Sequence, residues 1–469
     1  MAQYDREDLE AVHPDYKKQV DSWEFYTRSY FGGNEYKYGS LLHKYSLETD
    51  TEYDMRISST PLDNHCKNVI ETYSSFLFRK PPRRDLGSFT DDPSIEHITK
   101  DADLDGRSFD TLMKDASEFA NIYGHCFLMV DKPKTLVGTR GEELEKDIRP
   151  YISLITAENI TDWHYTRLPN GKYILDKLIV REDVTKDGTL YKVWYLDQVD
   201  TVYLEEKGEA KLIDSQPNPL GRIPAVILYS QRSPKRGIGL SLLQDIAELQ
   251  QAIYNELSEI EQLIRLSNHP SLVKTPGVEA SAGAGSIVLM PEETPPELKP
   301  YQLQPSGANL DSVRESIKDK VEAINRISHL GAVRTLRQQP SSGVALRTEF
   351  NLLNSRLTSQ AELLQLAEEQ IWDLIALWQG KVFDGEINYS ESYDIRDYSA
   401  DMDFYLKTQT ANVPSKAFKK ELDRKIVQTV IDDEEILNEI NNEIDTQPDE
   451  PLGQFSPEPA EEPEVIEEE

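Results

Sequence analysis

The sequence has little cysteine and no long hydrophobic run. Its 469 residues include two cysteines, Cys66 and Cys126. Neither has a second Cys or a His at ligand spacing, so the sequence predicts neither a disulfide framework nor a zinc site. No window approaches the roughly 18 uninterrupted apolar residues of a membrane span, and the N-terminus is charged from residue 5 onward. We therefore expect no signal peptide, no membrane partner, and buried free thiols in a reducing cytosol.

Positive charge is also scarce. The chain has 51 Lys and Arg against 84 Asp and Glu, a formal net charge of −33, which repels a phosphate backbone instead of neutralising it. Residues 445–469 hold acidic residues and prolines without a single Lys or Arg, which predicts an acidic disordered tail over 446–469. Tight DNA binding is not expected, but acidity alone fits an ordinary soluble protein equally well.

Motifs that carry chemistry are missing as well. There is no P-loop, no GxSxG elbow, no HExxH pair and no GxGxxG after a strand. Asp101, Asp103 and Asp105 resemble the start of a calcium loop, but Leu112 stands where that loop needs its bidentate Glu. The sequence therefore predicts a protein that is not an enzyme and has no catalytic residue, no metal and no cofactor.

The N-terminal half begins with helical periodicity and then changes period. Apolar stripes predict three helices, one ending at Gly32-Gly33, one between Pro61 and Pro81-Pro82, and one capped by Gly124. Short β-branched and aromatic runs separated by turns follow, and they predict an antiparallel sheet region. Its predicted strands are 125–131, 151–160, 161–167, 173–183, 190–197, 200–206 and 223–229.

The C-terminal half is dominated by long helices. Residues 239–267 and 308–330 predict two helices of roughly 40 and 35 Å. Between them, 268–307 is rich in Pro and Gly around the apolar run 286–290, which predicts a small α/β or β excursion at the tip of a helical hairpin. A polar loop over 331–343, a helix over 344–379, a strand at 386–395 and helices within 411–446 complete an α+β, mainly helical chain.

This order of segments resembles that of the tailed-bacteriophage portal proteins, the head-tail connector portal family. The resemblance covers residues 13 to about 395 and rests on segment order, since no single segment is a signature. The chain departs from the family at its C-terminal end, where the helical part after residue 411 is short and no long barrel-like extension of the crown is expected. The segments that carry it are VHPDYKKQVDSW, NHCKNVIETYSSFLFRKPP, EFANIYGHCFLMVD, RPYISLITAENITDW, GIGLSLLQDIAELQQAIYNELSE and QQPSSGVALRTEFNLLNSRL.

The resemblance implies a division of the chain into the parts of a portal subunit. These are an N-terminal wing (1–238), a stem helix (239–267), a small α/β clip (268–307), a second stem helix (308–330), a tunnel loop (331–343), a long wing helix and strand (344–400), a helical crown (401–445) and the acidic tail (446–469).

The resemblance also implies a function and partners. About twelve copies would form a homo-oligomeric ring, a dodecamer, through which double-stranded DNA passes without tight binding during packaging and ejection. The clip would dock the terminase large subunit and later a head-tail adaptor or tail proteins, and the wing would contact the major capsid and scaffolding proteins. Such a protein is assembled in the host cytoplasm and ends in the virion, at the portal vertex of the capsid.

Two sets of residues are candidates for the channel. The tunnel loop would form the narrowest part, and its arginines either touch DNA weakly or pair with carboxylates of neighbouring subunits. Acidic residues of the first stem helix would form rings of like charge. The tunnel-loop candidates are Arg334, Arg337, Gln338, Gln339, Ser341 and Ser342, and the stem candidates are Asp245, Glu248, Glu256 and Glu259.

Two alternatives stay open at this point. Another virion assembly protein, such as a head-tail adaptor, a capsid protein or a baseplate component, would share the acidity and the missing motifs, but it would not require a helix–excursion–helix–loop–helix core. An enzyme with an unrecognised acidic site, for example a nucleotidyltransferase or hydrolase, should show carboxylates at strand ends near a glycine turn.

Overall fold

The chain forms two compact units, Met1–Tyr393 and Asp394–Glu469. A computed structural model describes residues 4–90, 92–133, 139–268, 271–273, 295, 301–303, 307–334, 343–390, 392–393, 405, 407–408, 415–430 and 434–446. Helices and small antiparallel sheets both occur, so the predicted α+β class is confirmed.

Glycines and capping side chains set the ends of several N-terminal helices. Gly32 and Gly124 follow two of them with positive φ angles of 64° and 90°, a conformation that glycine adopts without strain. At the opposite ends, the side chains of Asn64 and Ser108 cap the starts of two helices by accepting backbone N–H groups of the first turn. The helices are α1 (Arg6–Glu10), α2 (Pro14–Phe31), α3 (Gly33–Lys37), α4 (Asp50–Ser59), α5 (His65–Leu77), α6 (Pro93–Lys100), α7 (Phe109–Tyr123) and α8 (Arg140–Glu145).

The strands form two separate antiparallel sheets where the sequence predicts one sheet region. A 3₁₀ turn at Ala157–Asn159 divides the predicted strand 151–160 and passes the chain from one sheet to the other. The first sheet has the order β3 (Tyr151–Thr156), β2 (His125–Asp131), β9 (Ala225–Tyr229). The second runs β4 (Ile160–Arg167), β5 (Tyr173–Val184), β6 (Gly188–Tyr195), β7 (Gln198–Glu205), β8 (Ala210–Pro217).

The sequence does not predict two of the strands, because neither shows an apolar period. β8 is an edge strand with Ile213 62 % exposed, so its backbone pairing with β7 holds it without an alternating apolar face. β1 (Arg83–Asp85) pairs with β12 (Glu386–Asn388), and three residues are too few to show a period. The predicted strand 386–395 is thus shortened to three residues.

The C-terminal half of the first unit contains a helical hairpin. The short strands β10 (Ser271–Val273) and β11 (Tyr301–Leu303) pair antiparallel, and Glu256 and Lys320, at nearly equal distances along the chain from that pair, form an ion pair. The elements are α9 (Ile246–Asn268), α10 (Gly307–Ile327), α11 (Gly331–Arg334) and α12 (Gly343–Trp378), with α13 (Lys416–Val430) and α14 (Glu434–Thr446) in the second unit.

The predicted start of the first long helix at residue 239 is wrong, because residues 239–245 are bonded to the core. Leu240 N–H donates to the Gln231 carbonyl at 2.9 Å and Leu242 N–H to the Asn121 carbonyl at 3.0 Å. Gly239 lies so close to Gly124 that a Cβ on it would be 2.0 Å from the Gly124 carbonyl oxygen. These long-range contacts override the helical period.

Smaller differences follow at the other end of the hairpin. The helix predicted to reach residue 330 ends at Ile327, since His329 has a φ of 56° and Leu330 N–H returns to the Asn325 carbonyl. A turn of helix, α11, occupies the start of the predicted loop 331–343. The apolar run 286–290 and residues 447–469 of the predicted tail are not among the residues that the structure describes.

The core of the first unit is built on the inner face of α12. Leu353, Leu357, Leu364 and Ile371 are buried there, and Trp372 stacks on Phe109 with 5.1 Å between ring centroids. Both cysteines are buried free thiols, as predicted, and burial raises their pKa values. Across the described part of the chain, every helix is too short or too polar to cross a lipid bilayer.

A charged group on α12 holds that core to the N-terminal helices. Glu368 is fully buried. It accepts hydrogen bonds from Tyr389 Oη at 2.7 Å and from Arg84 Nη2 at 3.3 Å, and Arg84 also pairs with Asp110 at 2.6 Å. Loss of the Glu368 carboxylate would remove the acceptor of the Tyr389 hydroxyl and leave Arg84 with Asp110 as its counter-ion.

We expect Glu368→Ala to lower the free energy of unfolding by about 3 kcal/mol, because Arg84 loses one of its two counter-ions and the buried Tyr389 hydroxyl loses its acceptor. Urea denaturation followed by tryptophan fluorescence measures this loss. Glu362→Ala, at an exposed position of the same helix, is the control and should change the free energy by less than about 0.5 kcal/mol. Equal effects of the two variants would show that the buried pair contributes no more than helix propensity.

Candidate functional site: the helical hairpin and its base

Helix α9 is held at its base by one buried amide. Gln250, fully buried, accepts the Cys66 N–H at 2.8 Å and donates Nε2–H to the Ser29 carbonyl at 2.9 Å. Cys66 lies in the first turn of α5 and Ser29 in the last turn of α2, where backbone groups have no partner within their own helix. Gln250 thus completes two helix ends and joins both helices to α9.

A buried arginine makes a second attachment. Arg56 of α4 is 2 % exposed; it donates from Nη1 to Ser258 Oγ of α9 at 3.0 Å and pairs with Glu48 at 2.7 Å. Its guanidinium lies 4.2 Å from the centroid of the Tyr45 ring. The hydrogen bond from Arg56 lowers the pKa of Glu48 from its usual value. The segment 43–56 is therefore fixed against α9.

Three of the four acidic candidates of the stem, Glu248, Glu256 and Glu259, share one edge of α9. At about 100° per residue they fall within an arc of about 80°. Asp245, in the turn before α9, and Glu248, in its first turn, are exposed to solvent. Their charges add to the effect of burial, which raises the pKa of nearby Tyr26.

The other two acidic candidates are engaged within the subunit. Glu256 accepts hydrogen bonds from Lys320 Nζ at 2.6 Å and Ser316 Oγ at 2.8 Å, both on α10. Glu259 accepts one from the Tyr45 hydroxyl, and partial burial together with this bond raises the pKa of Tyr45 to about 12. Glu256 therefore serves to hold the hairpin together, whereas Asp245, Glu248 and the exposed Glu259, whose partner Tyr45 is a neutral hydroxyl, carry unneutralised charge.

Sequence reasoning did not identify the partners of these residues. Lys320 and Ser316 lie four residues apart on one face of α10, a spacing that would have marked them as neighbours. Nothing in the sequence relates them to Glu256, because the register of the hairpin depends on the excursion between the helices. Gln250 carried a signal, a polar residue between the apolar positions Leu249 and Ile253.

The predicted tunnel loop is only partly visible. Arg334 ends α11, whose start follows the end of α10, and that end is fixed by a hydrogen bond of 2.8 Å from Tyr73 Oη to the Ser328 carbonyl. The side chain of Arg334 is not described, and Arg337, Gln338, Gln339, Ser341 and Ser342 fall in a part of the chain outside the described residues. The placement of these candidates relative to the stem residues therefore stays a prediction.

Acidic and histidine side chains that could act as ligands or catalysts instead stabilise the fold. Asp101 pairs with Arg149 at 3.0 Å and Asp103 with Arg107 at 2.5 Å, so arginines occupy the segment that resembles a calcium loop. Burial lowers the pKa of His125 to about 3, which leaves a neutral ring in the core. Within the described ranges, no group of three or more His, Cys, Asp and Glu side chains is placed to hold a metal ion.

The chain matches a family model over residues 26–404, and that family is described as phage portal protein, SPP1 Gp6-like. The match covers most of the chain, so the chain belongs to this family of phage portal proteins. It follows that the protein is a phage portal protein, a structural component, and the alternatives of a capsid, adaptor or baseplate protein no longer apply. No curated protein matches the chain significantly.

Solved structures of gene transfer agent particles resemble the chain in fold. A chain from the virion of the native particle is 12 % identical to this one. The match covers 82 % of this chain and 97 % of that chain, with a TM-score of 0.43. A chain from the neck of the empty particle, computed with C6 symmetry, is 10 % identical. That match covers 84 % of this chain and 99 % of the other, with a TM-score of 0.46. A third chain, from the neck of the native particle computed with C12 symmetry, is 11 % identical. The match covers 74 % of this chain and 85 % of the other, with a TM-score of 0.40.

Removing the buried amide should loosen the base of the hairpin. Gln250→Leu keeps the volume but leaves the Cys66 N–H and the Ser29 carbonyl unpaired, at a cost of about 1–3 kcal/mol each. Urea denaturation should show that loss. Gln244→Leu, at an exposed position just before α9, is the matched control. If Gln250→Leu were as stable as this control, the amide would not be needed to hold α9.

Proposed function

We propose that the protein forms the ring at one vertex of the capsid through which the genome enters during packaging and leaves during ejection. Membership of the portal family supports this role. The hairpin of α9 and α10 adds to it, because a long helical pair anchored rigidly at its base is a suitable wall element for a channel. The ring would be a dodecamer that assembles in the host cytoplasm and remains in the virion.

In this proposal each part of the chain has a place in the ring. Residues 1–238 and 344–400 form the wing, which contacts the major capsid and scaffolding proteins, and α9 and α10 form the stem. The clip at 268–307 docks the terminase large subunit and later a head-tail adaptor or tail proteins. The tunnel loop at 331–343 narrows the channel, the crown spans 401–445, and the acidic tail follows it.

Charge explains why such a channel would let DNA slide. Rotational symmetry repeats each exposed residue of a subunit into a ring, so Asp245 and Glu248 would become rings of negative charge wherever they face the lumen. Like charge repels the phosphates and opposes tight binding. Because Glu256 is neutralised by Lys320 inside each subunit, the repulsion would come from fewer residues than the sequence suggests.

The proposed conduit needs no catalytic group of its own. The energy for packaging would come from the docked motor, and the portal would supply shape, symmetry and charge. Neither a cofactor nor a metal is required for that role.

Purified protein should form closed rings with a central hole when viewed end-on by negative-stain electron microscopy, with a mass of about twelve subunits by native mass spectrometry. Particles that remain monomeric at every concentration and ionic strength would contradict the proposal. Open filaments would contradict it as well, since a conduit requires a ring that closes.

Charge reversal in the tunnel loop should separate DNA handling from assembly. We expect Arg334→Glu with Arg337→Glu to reduce packaging or retention of DNA by about tenfold or more, because two cations per subunit are replaced by repelling anions, while rings form normally. Packaged DNA is measured by nuclease protection in assembled heads. Lys172→Glu with Lys186→Glu, in exposed turns between strands of the second sheet, makes the same change in net charge and should have no effect. If the arginine variant failed to form rings, its arginines would instead belong to subunit contacts.

A further inference from the structure

The outer face of α12 differs in composition from the other exposed helical surfaces. From residue 348 onward, ten side chains of this helix are exposed, and only Glu362 and Asp373 are charged. On α10, nine described side chains are exposed and seven are charged. The remaining exposed positions of α12 are Thr348, Asn351, Leu352, Ser355, Ser359, Leu366, Gln370 and Leu377.

Three leucines run along this charge-poor face. Leu352, Leu366 and Leu377 are 53, 44 and 38 % exposed, and at about 100° per residue they fall within about 40° of one another. They extend over roughly 37 Å of helix at 1.5 Å per residue. The opposite face is buried in the core, so α12 carries leucines on both sides, which a helix facing water on one side does not require.

We propose that this face, the outer face of α12, is covered by an adjacent copy of the same chain in the ring. The inference rests on the proposed ring and names one of its contact surfaces. The interior of protein interfaces is depleted of charged residues and contains apolar anchors among neutral polar groups, which is the composition of this face.

Charge identifies the partner as a second copy. Each chain carries a net charge of −33, so two copies repel wherever exposed carboxylates meet. They can approach closely only where their surfaces are nearly free of charge, whereas a basic partner would match an acidic face such as that of α9. With a helix width of about 10 Å, the strip offers roughly 400 Å², about half of one side of a standard interface. A further surface of each subunit therefore completes the contact.

The test compares Leu366→Asp with Leu366→Gln in the full-length protein. Both remove the same apolar side chain, but only the aspartate adds like charge to the face. We expect Leu366→Asp to raise the protein concentration needed for half-maximal ring assembly by about tenfold or more, equivalent to about 1.4 kcal/mol or more. Leu366→Gln should have a smaller effect. About 1 M salt should largely restore assembly of the aspartate variant, since it shortens the screening length to about 3 Å.

Controls separate this inference from folding and from the proposed function. Val184→Asp, at a position 64 % exposed on β5, introduces the same charge elsewhere and should leave assembly unchanged. Equal urea denaturation of the two Leu366 variants excludes a folding defect; if the aspartate variant is less stable, Leu352→Asp replaces it. If the unaltered chain forms no rings, the proposed function fails. If it forms rings and both Leu→Asp variants assemble equally well, another part of the chain or another virion protein covers the face, and this inference is overturned.

Discussion

The hydrogen bonds of Gln250 are the interaction on which the position of the hairpin depends. One buried side chain satisfies the first turn of α5 and the last turn of α2 at once, so the orientation of α9 is set by groups that would otherwise be orphaned. Arg56 adds a second attachment farther along the same helix. These directional bonds hold α9 in a fixed position against the N-terminal helices.

Much of the fold follows from local sequence. The three N-terminal helices, the long helices and several strands could be predicted because their apolar periods are long and their ends carry glycine or capping side chains, as Gly124 and Ser108 do for α7. The predictions failed where long-range bonds decide the structure. Residues 239–245 have a helical period, but Gln231 and Asn121 take their backbone groups. β8 has almost no period, yet β7 pairs with it.

The candidate site was predictable only in composition. Acidic residues on α9 are visible in the sequence, and their common edge follows from helical geometry. Which of them is neutralised depends on Lys320, which is distant in sequence and is brought to Glu256 by the hairpin. An acidic count therefore overstates the net negative charge of this part of the chain, since Lys320 neutralises Glu256.

Helices α10 and α12 differ in the charge of their exposed faces. The helical spacing of apolar residues predicts both segments as helices because each has a buried face. That spacing does not show what contacts the opposite face. The solvent face of α10 is charged at seven of nine positions, and that of α12 at two of ten. In an acidic chain, keeping a long strip nearly free of charge removes the electrostatic barrier to self-association at that strip alone. Charge would then both repel DNA within the channel and restrict subunit contact to a defined surface.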